Sequence, residues 1–188
     1  MLEQRLFRAE SMEVTDNGRK LTGYAVPFGI EAEVEDYSFP VPYLERFERG
    51  AFKNVCRSPF RVKLCYLHND EADNWVGSGR LFREDNGGLW TEWKLDDPRK
   101  HPTAGIIAYK VADGQLPSLS VSFVPGRTRD TMRGGRMVRI RETVKQLDHV
   151  ALVPEGAYPM LEPVAVRSKP RASSADRWRE WRKGLDTP

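Results

Sequence analysis

Hydrophobic and polar positions change period several times along the chain. Arg5 to Val14 and Lys20 to Phe28 read as extended runs on either side of Asp16-Asn17-Gly18. Asn-Gly supplies the positive φ angles of a tight turn, so the two runs predict a β-hairpin. Gly29 to Pro42 is acidic and ends in Phe39-Pro40-Val41-Pro42, where proline removes backbone donors, and a loop is expected. From Tyr43 to Val55, the residues Leu44, Phe47, Ala51 and Phe52 recur at mixed three-to-four spacing, which predicts a short helix weakened by Gly50. Val62 to His68 alternates Val62, Leu64, Tyr66 and His68 against Lys63, Cys65 and Leu67, a strand with His68 at its end. A second hairpin joins Val76 to Glu84 with Leu89 to Leu95 across Asp85-Asn86-Gly87-Gly88. Pro102 opens a helix carrying Ile106, Ile107, Tyr109, Lys110 and Val111, which stops at Gly114. Leu119 to Val124, Met137 to Thr143 and Leu147 to Val153 read as further strands. Strands outnumber helices about seven to two, which predicts an α+β fold, mainly β, closed or nearly closed and carrying a few helices.

Composition narrows the picture. Of 188 residues, 39% are hydrophobic and 30% charged, which suits one folded domain of about 150 residues plus appendages. The longest apolar stretches, such as Val150-Ala151-Leu152-Val153, fall far short of the roughly 20 residues that cross a bilayer. The opening Met1-Leu2-Glu3-Gln4-Arg5-Leu6-Phe7-Arg8 lacks the apolar core of an export signal, so a cytoplasmic protein is expected, with Cys56 and Cys65 as free thiols. Net charge is +3, but seven basic and three acidic residues lie from Arg167 onward, leaving 23 and 24 in residues 1–166. A nearly neutral body argues against a dedicated nucleic-acid-binding domain. Residues 1–166 therefore read as the folded domain and 167–188 as a basic tail. In that tail a Ser-Lys-Pro linker precedes a short amphipathic helix with Trp178, Trp181 and Leu185 on one side. Such a helix packs on the body or a partner; the rival role, phosphate contacts with tryptophan stacking on bases, would show a steep salt dependence.

Three histidines are candidates for chemistry. His101 lies in a charged, proline-bracketed loop and reads as solvated. His68 ends an apolar strand, and His149 is embedded in Leu147-Asp148-His149-Val150, where a structural, hydrogen-bonded role is the simpler one for each. In Leu116 to Phe123, alternation sends Leu119, Val121 and Phe123 to one face and Ser118, Ser120 and Ser122 to the other. That serine row is either the exposed side of a strand or the source of a nucleophile. A hydroxyl becomes nucleophilic when an imidazole takes its proton, and the imidazole works better when a third group fixes its tautomer. Ser120, His68 and His149 could fill those roles. A zinc site on Cys65 and His68 is disfavoured, because strand alternation separates them and no second ligand pair flanks them, and no cofactor is expected.

The ordered set Gly23-Tyr24-Ala25-Val26-Pro27-Phe28, Glu48-Arg49-Gly50-Ala51-Phe52, Leu67-His68-Asn69, Gly77-Ser78-Gly79-Arg80-Leu81, Leu89-Trp90, Leu119-Ser120-Val121-Ser122-Phe123 and Val150-Ala151-Leu152-Val153 resembles the prohead proteases of tailed bacteriophages over roughly residues 5–166. That family is similar in fold to the herpesvirus maturational protease, assemblin, so the resemblance implies an antiparallel β-barrel surrounded by a few helices. It also implies a serine endopeptidase that cuts the scaffolding segment from the major capsid protein, and itself, inside the procapsid in the host cytoplasm. Its rival is a noncatalytic capsid or scaffold component that keeps the fold. The resemblance puts the general base on His68 and the nucleophile on Ser120. Where many members have a glutamate before the valine of their last strand, this chain has His149, which implies a Ser-His-His triad. Asp148 is adjacent, but on a regular strand it would face the other way. A homodimer or higher homo-oligomer is expected by analogy with the herpesvirus enzymes.

Overall fold

The computed structural model describes residues 3–8, 12–34, 41–69 and 71–154. The proposed tail, 167–188, lies outside the described residues. In chain order the strands are β1 (Glu3–Arg8), β2 (Glu13–Thr15), β3 (Lys20–Pro27), β4 (Ala32–Val34), β5 (Tyr43–Phe47), β6 (Lys63–Tyr66), β7 (Trp75–Glu84) and β8 (Gly88–Leu95). Helix α1 (Pro102–Ala112) follows, then β9 (Ser118–Pro125), β10 (Thr128–Arg133), β11 (Arg136–Arg141) and β12 (Val144–Val153). Eight strands form a curled half-barrel in the order β1-β9-β12-β6-β7-β8-β3-β2, and a second sheet runs β10-β11-β5-β4. The fold is thus mainly β, as expected, and the described residues hold one α-helix where two were predicted. Pairing is antiparallel except for β12 with β6 and β11 with β5, which run parallel. Among the described residues no helix is long and apolar enough to cross a membrane.

The hydrophobic alternation builds a main core and, on the other face of β6 and β12, a small cluster of Cys65, Ala151 and Val153 with Trp75 against it. Leu119, Val121 and Phe123 of β9 meet Val150 and Leu152 of β12, Leu64 of β6 and Val76 of β7, all fully buried. Helix α1 contributes Ala104, Ile107, Ala108 and Val111 to the same core. Pro102 starts it and Gly114, with φ +78°, follows its end, both as predicted. The β7–β8 hairpin also forms where it was expected.

Three expectations are corrected, and one strand is new. The run from Arg5 to Val14 does not pair as a whole with β3; β1 crosses to β9, and only Glu13–Thr15 closes the hairpin, with Asn17 and Gly18 at positive φ. The predicted helix at 43–55 is strand β5 followed by turns and a 3-10 turn, because Tyr43, Glu45 and Phe47 share a buried face of period two. The loop from Gly29 to Pro42 contains β4, with 35–40 outside the described residues. Strand β10 has no apolar alternation to reveal it; the turn at Gly134-Gly135, with both φ positive, was its one signal.

The two sheets join through aromatics and charge. Phe47 of β5 stands edge-on to Phe123 of β9, with ring centroids 5.4 Å apart, and stacks on Phe52. Beside them Glu45, with no exposed area, accepts hydrogen bonds from Arg5 Nε at 2.5 Å and Arg141 Nε at 2.6 Å. Glu3 accepts from both arginines, and Arg5 also reaches the Tyr43 hydroxyl at 3.1 Å. Burial works against the Arg5 charge, but Glu45, Tyr43 and Glu3 outweigh it and raise the guanidinium pKa above its ordinary value. The network ties β1 to β5 and β11.

Candidate active site

Strand β9 lies between β1 and β12, with Ser120 in register with Leu6 on one side and Ala151 on the other. Its alternation is as predicted, but the serine face is not exposed: Ser118, Ser120 and Ser122 have no accessible area.

His68 arrives from the neighbouring parallel pair. Strand β6 ends at Tyr66, and the chain then turns sharply, with Leu67 at φ 54° and His68 at φ 56°. The Asn69 N–H closes the turn on the Tyr66 carbonyl at 3.1 Å, while the Leu67 N–H stays on Leu152 of β12 at 3.2 Å. Positive φ at both central positions is usual for Asn-Gly and costs roughly 1–2 kcal/mol per residue for side chains such as these. The strain is local to the turn that carries the imidazole, as strained backbone at functional sites commonly is. The expectation that His68 simply ends a strand is corrected accordingly.

His149 comes from β12, which is bulged. Leu147 pairs with Phe123 and His149 with Ser122, so Asp148 is an extra residue against the facing strand. Leu147 and His149, two apart, would share a face in a regular strand; the bulge leaves Leu147 in the core and turns His149 to the serine side. It also overturns the reading of Asp148 as facing away, since its Oδ2 lies 2.9 Å from His149 Nδ1. The sequence held a signal for this. Core positions Val144, Leu147, Val150 and Leu152 are spaced three, three and two, and each three absorbs a bulge residue, Lys145 and then Asp148.

The three predicted side chains converge. Ser120 Oγ is 2.5 Å from His68 Nε2, and His68 Nδ1 is 2.7 Å from His149 Nε2, with the rings at 65°. Hydrogen-bond logic fixes one tautomer for each ring. The Asp148 carboxylate only accepts, so His149 Nδ1 donates to it, and His149 Nε2 accepts from His68 Nδ1–H. His68 Nε2 is left to accept from the Ser120 hydroxyl.

Burial, with the His149 ring adding to it, pushes His68 down to about 4, so the ring is neutral near pH 7. The ordinary value is 6.5, so between those pH values the unfolded chain binds a proton that the native one does not. Stability therefore falls as pH drops from 6.5 toward 4. One pKa unit corresponds to about 1.4 kcal/mol, and partial solvation of the ring reduces the total to about 1–2 kcal/mol. Chemical denaturation at pH 7 and pH 4.5 checks this: His68→Gln should flatten the difference by that amount, and an unchanged difference would contradict it.

A family model of the caudovirus prohead serine proteases matches residues 7–171. The chain belongs to this family. It is a serine protease of phage capsid maturation. The fold is similar to that of the bacteriophage T4 capsid assembly protease, gp21, with a TM-score of 0.56 at 12% identity, covering 81% of this chain and 96% of that one. Comparison with curated proteins gave no match.

The remaining candidates of this prohead protease lie elsewhere. His101 hydrogen-bonds the Asp73 carbonyl at 3.0 Å and Asp96 at 3.3 Å, in a loop before α1. Cys65 is buried on β6, Cys56 is partly buried, and the two are not bridged. Among the described residues no three His, Cys, Asp or Glu side chains cluster as metal ligands would.

Proposed function

We propose that Ser120, His68 and His149 are the catalytic triad of this protease, and that it cuts the scaffolding segment from the major capsid protein, and itself, inside the procapsid. The observation that carries the reading is the unbroken hydrogen-bonded line from Ser120 Oγ through both rings of His68 and His149. Ser120 Oγ attacks the peptide carbonyl as its proton passes to His68 Nε2. The resulting imidazolium is steadied through Nδ1–H by His149 Nε2. As the C–N bond breaks, His68 hands that proton to the departing amine, leaving an acyl-serine. Water, deprotonated by His68, then attacks the ester, and the serine regains its proton.

A neutral imidazole steadies an imidazolium less than a carboxylate does, so His149 in third position makes the identity of its own partner important. The capsid target is supported by family membership and by the likeness to the T4 capsid assembly protease. Co-expression with the capsid protein of the same phage tests it. The expected result is loss of the scaffolding segment at one reproducible bond. An intact capsid protein, with shells still assembling, would instead identify a scaffold component that keeps the fold.

A further inference from the structure

We propose that Asp148 is a positioning residue for this protease: through His149 it sets the tautomers of both imidazoles and holds the proton affinity of the pair. The inference rests on the triad reading above and adds a fourth member to it. Its basis is geometric. The β12 bulge brings the Asp148 carboxylate to 2.9 Å from His149 Nδ1, while His149 Nε2 faces His68. Each imidazole has one donor and one acceptor when neutral, so the line could run in either direction. In the reverse direction His68 Nε2 would carry a hydrogen toward Ser120 and could not take its proton. An acceptor-only group at the far end excludes that arrangement.

Among the described residues, the carboxylate hydrogen-bonded to either ring is that of Asp148. Strand β6 sets Lys63 in register with His149, its ammonium 3.3 Å from the centre of the Trp75 ring, and β9 sets Ser122 there. His68 approaches from the turn after β6. Lys63 is thus the cation that β6 sets beside His149, and Asp148 is the anion bonded to that ring.

The rate of inactivation by a fluorophosphonate, followed against pH on the full chain, reads both effects without any assumption about substrate. Asp148→Asn keeps the shape but offers an N–H to His149 Nδ1. Its plateau rate should fall about tenfold, as when a supporting hydrogen-bond partner is lost. Its acid limb should move to lower pH by about half a unit, because the pair releases its proton more easily without the anion. Asp148→Ala should show the same displacement with a smaller fall in rate, since it introduces no competing donor. Asp148→Glu should restore the wild-type limb. Asp148 is part-exposed, with 40% of its side chain accessible, so the variants should melt with the wild type. An acid limb that stays in place in Asp148→Asn, whether or not the rate falls, overturns the proposal. Labelling that persists in Ser120→Ala would instead overturn the triad beneath it.

Discussion

Alanine at position 120 should leave a folded protein whose peptide hydrolysis is about 10⁴-fold slower or worse, the usual consequence of losing a triad nucleophile. The hydroxyl is fully buried and its hydrogen bond is to His68, so the substitution removes one oxygen and adds no bulk. Melting temperature should therefore change little, which separates lost chemistry from lost fold. Heads assembled with the variant should keep the scaffolding segment attached. Ser120→Cys sharpens the comparison, because a thiol beside an imidazole retains some nucleophilicity. Processing by Ser120→Ala at the wild-type rate would remove Ser120 from the mechanism.

The largest effect on stability is expected at Glu45. Its carboxylate has no exposed area and sits between the Arg5 and Arg141 guanidiniums, which are 9% and 2% exposed. Glu45→Gln keeps the volume but leaves two buried like charges with one fewer anion between them. Breaking a buried ion network in this way costs about 3–5 kcal/mol. For a chain of this length that corresponds to a melting temperature lower by roughly 10–15 °C. Because Arg5 anchors β1, and β1 pairs with β9, the β1–β9 amides should lose protection against hydrogen exchange before the rest of the sheet. A loss under about 1 kcal/mol would mean that the network is not what holds β1 in place.

These residues differ in how visible they were in the sequence. Ser120 was legible because the alternation of Leu119, Val121 and Phe123 fixes its face, and local periodicity survives folding. His68 was legible as a candidate but not as a turn residue, since nothing in Leu-His announces two left-handed conformations. Asp148 was set aside on the assumption of a regular strand, although the three-residue spacing of the core positions in β12 carried the contrary signal. Strand β5 was misread because one of its two partners, β11, is about ninety residues away, the other, β4, has only three residues, and a buried glutamate occupies the middle of its inward face. The Arg5–Glu45–Arg141 network was missed for a related reason: charges look like surface until three distant strands place them together.

The most direct test labels the intact protein with a fluorophosphonate and maps the adduct by mass spectrometry. A single adduct on Ser120, abolished by His68→Ala and strongly slowed by His149→Ala, is the predicted result. An unmodified Ser120, or a Ser120 adduct that forms as fast without His68, would contradict the account.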